Sequence, residues 1–291
     1  MTQEKHNIIS SPMNYIGGKA KLLPQLIPLF PTEINTLYDV FTGGGNIIAN
    51  VSAKSYKAND LNDFVIGILE TFYHKDINSI LSEIDAIISK YSLSKENADG
   101  FLRLRSDYNS NKSPLMLYTL ICYSFNYQFR FNNNLDYNTP FGRNKSHFSD
   151  KLRERLISFI ERLQMRDISF SSQFFDKFLL NQAFKAGDFV YLDPPYLITT
   201  GNYNDGNRGF KDWTNDEENR LYEVLEHLDK NGVRWALSNV TEHKGKKNQL
   251  LLDFSQHYNL HHLNYSYTYS YANSSHNTNR ATSKEILLTN Y

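Results

Sequence analysis

The stretch Leu37-Tyr38-Asp39-Val40-Phe41-Thr42-Gly43-Gly44-Gly45 decides the fold class of this chain of 291 residues. Residues 37–41 are mostly apolar, which predicts a short buried strand, and the glycines predict a tight turn directly after it. Residues 46–52 have the character of a helix start. A strand, a glycine turn and a helix in this order are typical of a parallel sheet whose strands are joined by crossover helices.

The rest of the chain continues this pattern with one long interruption. We predict strands at 56–60, 188–192 and 235–239, helices at 64–73 and 216–230, and antiparallel strands at 263–271 and 285–290. Residues 76–170 lack β patterning and contain helical segments at 77–91, 114–127 and 151–163. The sequence therefore predicts an α/β domain formed by residues 1–75 and 171–291, interrupted by a helical domain at 76–170.

Composition excludes several classes of protein. No apolar run has membrane-spanning length, and the polar N-terminal segment lacks a signal-peptide core, so we expect no membrane partner. Cys122 is the single cysteine, which excludes an internal disulfide and is compatible with the cytoplasm. No Cys/His cluster has zinc spacing, so we expect no metal and interpret His261, His262 and His276 as surface residues.

The net charge is zero, but the charges are distributed unevenly. Residues 101–166 hold 11 Lys and Arg against 5 Asp and Glu, whereas the remainder holds 20 against 26. A basic block on a mildly acidic body is expected of a subdomain that contacts phosphates. It is also compatible with a solvated helical face, because acidic residues interleave with the basic ones.

The glycine turn is a candidate ligand site. Gly43 to Gly45 let the backbone approach a ligand closely, and the following helix start favours negative charge. Asp60, at the end of the next predicted strand, is placed to bind ribose hydroxyls. The dinucleotide pattern Gly-x-Gly-x-x-Gly is not met, because Ile48 occupies its last position. A tight turn without a ligand remains an alternative.

A second glycine turn, Asn14-Tyr15-Ile16-Gly17-Gly18-Lys19, precedes the first strand. It lacks the Walker spacing, which argues against a phosphate-loop NTPase. Tyr15 can pack on a ligand, and Lys19 can pair with a carboxylate such as that of an amino-acid moiety. A plain turn into a helix is the alternative interpretation.

The tetrapeptide Asp193-Pro194-Pro195-Tyr196 follows the apolar run 189–192. An acid, two prolines and an aromatic residue at the tip of a buried strand form a rigid polar hook beside a stacking surface. Such a hook suits an enzyme that holds the edge of an amino-substituted heterocycle next to a methyl donor. A strand-ending turn without chemistry is the alternative.

Taken together, these motifs resemble those of the Dam-type (D12 class) adenine-N6 DNA methyltransferases. The matching segments cover nearly the whole chain; in order they are Tyr15-x-Gly-Gly-Lys19, Asp39-x-Phe-x-Gly-Gly-Gly45, Asn59-Asp60, Arg130 to Arg143, Gly187-Asp-x-Val-Tyr-x-Asp-Pro-Pro-Tyr196, Leu237-Ser-Asn239 and Lys284-Glu-Ile-Leu-Leu-Thr-Asn290. The tetrapeptide alone does not exclude methylation of amino groups in RNA or protein.

The resemblance implies a Rossmann-like methyltransferase sheet with an inserted helical target-recognition domain, and S-adenosylmethionine as the donor. Lys19 is expected to meet the methionine carboxylate, Asp60 the ribose, and Phe175 a site near the donor's adenine. With the glycines of the first turn, the expected donor site comprises Tyr15, Lys19, Asp39, Phe41, Gly43, Gly45, Asp60, Phe175, Asp176 and Asp193.

The chemistry expected of the hook follows from the substrate. N6 of adenine is a poor nucleophile because its lone pair is delocalised into the ring, and the base must leave the duplex to be reached. Asp193 and the Pro194 carbonyl can accept both N6 hydrogens, while Pro195 fixes the shape of the hook. Tyr196 can stack on the flipped base, and direct in-line transfer needs no metal.

Residues 126–145 resemble the family's recognition hairpin. Arg130 suits a bidentate guanine contact, Phe125 or Tyr127 can wedge into the base stack, and Lys145, Lys151 and Arg153 can contact phosphates. The expected DNA-contacting residues are Asn14, Phe125, Asn126, Tyr127, Gln128, Arg130, Asn132, Asn138, Pro140, Arg143, Asn144 and Lys145. Asn14, Gln128 and Asn144 stand where family members that read GATC usually carry Lys, Leu and Tyr, so we expect a target other than plain GATC.

Three other interpretations remain open: an RNA or protein amino-methyltransferase, a nucleotide-binding oxidoreductase, and a DNA-binding module without catalysis. The family analogy favours a monomer acting on double-stranded DNA, with or without a restriction endonuclease that shares its site. The loop at 199–209, rich in Gly and Asn, is a candidate lid.

Overall fold

The computed structural model describes residues 8–15, 17–199, 213–264 and 283–291, which form one mixed sheet with helices on both faces. The strands are β1 (Thr36–Asp39), β2 (Ser55–Asn59), β3 (Ile168–Ser171), β4 (Phe189–Leu192), β5 (Arg234–His243), β6 (Lys246–Lys247), β7 (Asn259–His262) and β8 (Ser283–Thr289). The helices are α1 (Leu23–Leu26), α2 (Asn46–Asn50), α3 (Asp63–His74), α4 (Ile77–Lys90), α5 (Ala98–Ser110), α6 (Pro114–Tyr123), α7 (Asp150–Gln164), α8 (Phe175–Leu180), α9 (Asn215–Lys230) and α10 (Gln249–Ser255).

The strand order is β3-β2-β1-β4-β5-β8-β7, with β6 paired to the end of β5. The first five strands of this order are parallel, whereas β8 runs antiparallel between β5 and β7. The order 3-2-1-4-5 is that of the Rossmann fold, whose topology reverses between β1 and β4. The predicted α/β fold is therefore confirmed, and its ligand crevice is expected at the carboxyl ends of these two strands.

Successive strand residues face two separate hydrophobic cores, as the two-residue period of a strand requires. Tyr56, Phe189 and Tyr191 pack with α2 to α7 on one face. Val190 and Trp235 pack with α8, α9 and α10 on the other. The helices of the insertion pack on α2 and α3 and on one another, and share one hydrophobic core with this face of the sheet. Among the residues that the structure describes, no helix has the length and apolar character needed to cross a bilayer.

The structure corrects several predicted boundaries. Residues 168–171 form β3 and pair in parallel with β2, so the sheet resumes three residues before the predicted end of the insertion. The helix predicted over 114–127 ends at Tyr123, where Ser124 turns to extended backbone. Asn259–His262 form β7, a strand that the sequence did not predict. Residues 265–271 of the strand predicted at 263–271, most of the candidate lid (200–209) and His276 lie outside the described residues.

Cys122 lies in α6 and is buried. Burial raises the pKa of its thiol to about 12. Since the thiolate is the reactive form, this cysteine is chemically inert near neutral pH.

Candidate active site

A pocket opens at the carboxyl ends of β1, β2 and β4, where the strand order reverses. Its wall includes most of the predicted catalytic and donor-binding residues, namely Tyr15, Lys19, Phe41, Gly43, Asp60, Phe175, Asp193, Pro194, Pro195 and Tyr196. Asp39, Gly45 and Asp176 of the predicted set do not line it. The structure therefore brings most of the predicted site residues together at one pocket.

The first glycine turn is shaped by Tyr15. Gly43 has a φ of +47°, and a Cβ built there would lie 2.8 Å from Cδ1 of Tyr15, so only glycine fits beneath this ring. The Gly43 N–H donates to Oδ2 of Asp60 at 2.8 Å, and the Gly45 N–H donates to the Thr42 carbonyl at 2.8 Å. Because the chain itself uses these two N–H groups, the turn seats an aromatic ring and does not form a phosphate cradle. This disfavours the nucleotide-binding oxidoreductase.

Asp193 is bonded to two other side chains of the pocket. Nζ of Lys19 lies 2.8 Å from its Oδ2, and the Tyr196 hydroxyl donates to its Oδ1 at 2.9 Å. Burial raises the pKa of Asp193, whereas the Lys19 ammonium and the Tyr196 hydroxyl lower it. A buried carboxylate needs such a counter-ion, so Lys19 keeps Asp193 available as a hydrogen-bond acceptor.

This pairing differs from the predicted role of Lys19 as partner of the donor's carboxylate. Lys19 is only 4% exposed, also donates to the Gly17 carbonyl at 3.0 Å, and lies 5.1 Å from the centroid of the Tyr196 ring. The second glycine turn thus brings a cation to the hook, more than 170 residues away in the chain.

The two other acids take different positions. Asp60 lines the pocket and holds the glycine turn, with Oδ2 accepting from Gly43 and Oδ1 accepting from the Asn62 N–H at 2.9 Å. Asp39 lies beneath the wall, where its Oδ2 accepts from the Thr42 hydroxyl at 2.7 Å. Its Oδ1 is buried with no hydrogen-bond partner among the described residues, and burial raises the pKa of Asp39 to about 7.

Three aromatic rings form one side of the pocket. The ring centroid of Phe41 lies 5.8 Å from that of Phe175 and 5.9 Å from that of Trp213, and the last two rings are 5.6 Å apart. Trp213 is a pocket residue that the sequence did not reveal. The only local signal is its place before the capping box Thr214–Glu217 that starts α9.

Glu218 does not line the pocket but fixes the position of Trp213 through a hydrogen bond. This fully buried carboxylate accepts hydrogen bonds from Nε1 of Trp213 at 2.6 Å, the Tyr222 hydroxyl at 2.6 Å, Nδ2 of Asn239 at 3.2 Å and Nδ2 of Asn248 at 3.0 Å. These four donors satisfy the carboxylate oxygens, and all four are uncharged groups. The network links α9, β5 and α10 to the aromatic side of the pocket. Nearby, Asp176 pairs with Arg220 and joins α8 to α9.

The segment predicted as the recognition hairpin is strand-like but irregular. Isolated antiparallel bridges join Ser124 to Phe141 and Phe131 to Tyr137. Four residues other than glycine have a positive φ in this segment, namely Asn126, Tyr127, Leu135 and Asn144. Such backbone is sparsely populated and concentrates at functional segments. We call residues 124–145 the recognition hairpin.

Asn14 connects this hairpin to the pocket, because its Nδ2 donates to the Asn126 carbonyl at 3.0 Å. Phe125 is 47% exposed, and Pro140, Arg143, Asn144 and Lys145 are also exposed. Other residues predicted to contact DNA are bonded within the hairpin, Asn132 through its side chain and Arg130 and Asn138 through their backbone. Oδ1 of Asn132 accepts from the N–H groups of Asn134 and Asp136, and the Asn138 N–H donates to the Arg130 carbonyl.

Part of the basic block is structural. Five of its cations bond within the protein: Arg105 to the Thr139 carbonyl, Lys112 to the Leu135 carbonyl, Arg153 to Asp85, Arg162 to the Ala49 carbonyl and Arg166 to Tyr56. Arg153 was predicted to contact phosphate and pairs with Asp85 because α7 packs beside α4. These five cations therefore have structural contacts, and a phosphate-binding role for the rest of the block stays a prediction.

The comparison with protein families decides the identity of the chain. Residues 15–269 match the model of the D12 class N6 adenine-specific DNA methyltransferases. The chain belongs to this family. It is 51% identical over 286 residues to the Type II methyltransferase M.FokI of Planomicrobium okeanokoites and 49% identical over 285 residues to the modification methylase StsI of Streptococcus sanguinis.

The matches cover 98% and 97% of this chain but 43% of each relative, so the chain spans less than half their length. Type II methyltransferase M1.LlaDCHI of Lactococcus lactis subsp. cremoris is 28% identical, and the match covers 99% of this chain and 98% of that protein. The predicted family is thereby confirmed. Membership of the family implies S-adenosylmethionine as the methyl donor.

Proposed function

We propose that this chain transfers a methyl group from S-adenosylmethionine to N6 of a flipped adenine in double-stranded DNA. The observation that carries the proposal is the hook Asp193-Pro-Pro-Tyr196 at the wall of the pocket, with its acid paired to Lys19 at 2.8 Å. The family match and the names of the relatives support DNA as acceptor over RNA or protein.

The pocket fits the donor by its chemistry. Phe41, Phe175 and Trp213 offer apolar faces for an adenine ring, and Asp60 offers carboxylate oxygens for ribose hydroxyls. The bound donor supplies a methyl group made electrophilic by its sulfonium. Asp39 is the buried carboxyl group nearest in the chain to the turn, and its Oδ1 has no hydrogen-bond partner among the described residues.

The protein's part in the reaction is to position the target amino group. The Asp193 carboxylate and the Pro194 carbonyl accept the two N6 hydrogens, which localises the nitrogen lone pair. Burial raises the pKa of Asp193, and the Lys19 ammonium opposes that rise and so favours the carboxylate form. Transfer gives N6 a positive charge that is lost with one proton, and the Asp193 carboxylate is an acceptor for it. Tyr196, whose hydroxyl bonds Asp193, places its ring beside the reacting base.

Sequence readout belongs to the recognition hairpin in this proposal. Arg130 is assigned to guanine, and Asn14 and Gln128 to adenine edges, so the target differs from plain GATC. The names of the relatives indicate a biological role. We propose that the chain is a modification enzyme of a restriction–modification system and acts as a monomer in the cytoplasm. In that role a cognate endonuclease would share the DNA site, and the proposal requires no contact between it and this chain.

The test is expression of the chain, and of the Asp193→Ala variant as control, in a host that lacks adenine methylation. Long-read sequencing of the host DNA reports modified adenines and their context. N6-methyladenine in one recurrent motif, absent from the control, supports the proposal, and a plain GATC motif overturns only the target specificity. Soluble, donor-binding protein without DNA methylation overturns the proposal and directs the search to RNA or protein acceptors.

A further inference from the structure

A basic hairpin extends from the end of β5. β5 pairs with β4 as far as Leu237 and continues to His243, six residues and about 20 Å further at the usual rise of a strand. β6 then folds back, with Glu242 opposite Lys247 and His243 opposite Lys246. Lys244 and Gly245 form the two-residue turn, with φ of +51° and +79°. Positive φ at both positions is the tight turn whose twist matches its strands.

This hairpin is cationic and open. Lys244, Lys246 and Lys247 are exposed, and none of the three forms an ion pair with any residue that the structure describes. A Cβ at Gly245 would meet no described atom within 4 Å. The acid of the hairpin, Glu242, is already paired with Lys284 on β8 at 2.7 Å. The hairpin therefore presents three lysines to solvent, of which only Lys247 lies opposite an acid, Glu242.

The architecture of these strands limits its mobility. β5 is bonded on its other edge to β8, with Glu242 opposite Lys284 and His243 opposite Ser283. A register shift between Val240 and Glu242 bends the strand, and the Asn248 N–H donates to the Thr241 carbonyl at 3.0 Å at the base of the hairpin. Bulges of this kind redirect a strand at the edge of a site. The lysines thus stand on a braced three-stranded extension.

Its place in the fold relates it to the active site. Asp193 follows the carboxyl end of β4, at the middle of the sheet order. The insertion that contains the recognition hairpin connects β2 to β3, on one side of β4, whereas β5, β6 and β8 lie on the other side. Parallel strands share their carboxyl edge, so the extension of β5 rises from the edge that contains Asp193.

We propose that Lys244, Lys246 and Lys247 bind phosphates of the DNA duplex on the side of the active site opposite the recognition hairpin. This inference rests on the proposed function, since it assigns a second contact to the same DNA. Compact ammonium groups without base-reading geometry bind phosphate independently of sequence. The lysine hairpin would thus anchor the duplex across the hook while the recognition hairpin selects the target.

The test compares two triple variants of the full chain with equal loss of charge. One is Lys244→Gln/Lys246→Gln/Lys247→Gln. The control is Lys54→Gln/Lys185→Gln/Lys230→Gln, whose exposed lysines precede β2, β4 and β5 at the opposite edge of the sheet. Equilibrium binding to a duplex containing the methylation motif is measured at several salt concentrations, alongside donor affinity. A third measurement is the recurrent motif methylated in cells.

We expect the hairpin variant to bind the duplex about 10- to 100-fold more weakly at low salt. Its plot of log affinity against log salt should be less steep by about 1 for each phosphate that the variant no longer neutralises. Donor affinity and the methylated motif should be those of the wild type. The control should retain the wild-type slope to within a few tenths. Equal slopes in the hairpin variant and the wild type would overturn the inference, as would an altered motif.

The two proposals fail differently. If the wild-type protein binds donor but methylates no DNA, the proposed function falls and this inference falls with it. If the wild type methylates DNA and the hairpin variant has an unchanged salt slope, only the phosphate-binding role of the lysine hairpin is overturned.

Discussion

The pocket and the recognition hairpin use their polar side chains in opposite ways. In the pocket the acids and their partners are already bonded to one another, as Lys19 is to Asp193 and Asp60 is to the Gly43 N–H. In the recognition hairpin the backbone is fixed by bridges, whereas the side chains of Arg130 and Arg143 have no hydrogen bond or ion pair with the described residues. Under the proposed function, the chemistry is therefore pre-organised in the protein, and the specificity is completed by the bound DNA. Variants of the two regions should then lose different properties.

The largest effect is expected behind the pocket wall. Glu218→Ala leaves four buried donors without their acceptor, each costing about 1–3 kcal/mol when unsatisfied, so the free energy of unfolding should fall by at least about 3 kcal/mol. Urea denaturation measures this change. Calorimetry should also show weaker donor binding, because Trp213 loses its hydrogen bond to Glu218. Glu223→Ala on the exposed face of α9 is the control and should change stability by less than about 0.5 kcal/mol. Equal stability of the two variants would show that the network is dispensable.

The next effect concerns the acid beneath the pocket. The pKa of Asp39 rises from its usual 3.8 to about 7 on folding, so the protonated form favours the folded state. This contribution is fully present below about pH 4 and is lost as the pH rises through 7. Between pH 5 and 8, the free energy of unfolding of the donor-free wild type should fall by about 2–3 kcal/mol more than that of Asp39→Asn. This follows from about 1.36 kcal/mol for each pKa unit.

Chemical denaturation at a series of pH values measures that difference. Asp99→Asn, an exposed position in the first turn of α5, should retain the wild-type pH dependence. Parallel stability curves for wild type and Asp39→Asn would mean that the buried carboxyl does not titrate in this range.

A smaller, local effect is expected in the recognition hairpin. Arg130→Ala should cost about 1–3 kcal/mol of discrimination at one base position while leaving unfolding and donor binding at wild-type values. Methylation rates on duplexes changed one base pair at a time measure it. Arg103→Ala, an exposed arginine on α5, should keep the wild-type preference. A uniform loss at every position would reassign Arg130 to phosphate contact.

The smallest effect separates the backbone of the recognition hairpin from its contacts. Leu135 has a φ of +62°, which a residue with a Cβ adopts at a cost. Leu135→Gly should therefore be more stable than Leu135→Ala by about 0.5–1 kcal/mol. Thermal unfolding of the two variants tests this, and the reverse order would mean that the positive φ is not a source of strain.

How far the sequence predicted the molecule depends on the range of the interactions involved. The strand, the glycine turn and the hook were predictable because the local sequence determines them. A glycine occupies the position of positive φ at Gly43, and an acid directly follows the apolar run 189–192. β3 and β7 were not, because four residues such as Ile168–Ser171 or Asn259–His262 carry too few apolar positions to show a period.

The interior of the site was predictable only in part, for the same reason. The pairing of Lys19 with Asp193 and the bond of Trp213 to Glu218 depend on how distant segments pack. No residue near Lys19 in the sequence indicates its partner. Counting charges along the sequence does not reveal the basic hairpin at Lys244 either. Its position depends on the length of β5, which extends beyond β4, and not on a local surplus of lysines alone.

The burial of Cys122 makes the chain a convenient host for site-specific probes. Maleimide and other thiol reagents act on the thiolate, which a thiol with a pKa of about 12 hardly forms in neutral buffer. A cysteine placed at the tip of a surface hairpin would then be the single labelled position without prior removal of the native one. A fluorophore there would report the arrival and departure of DNA in real time.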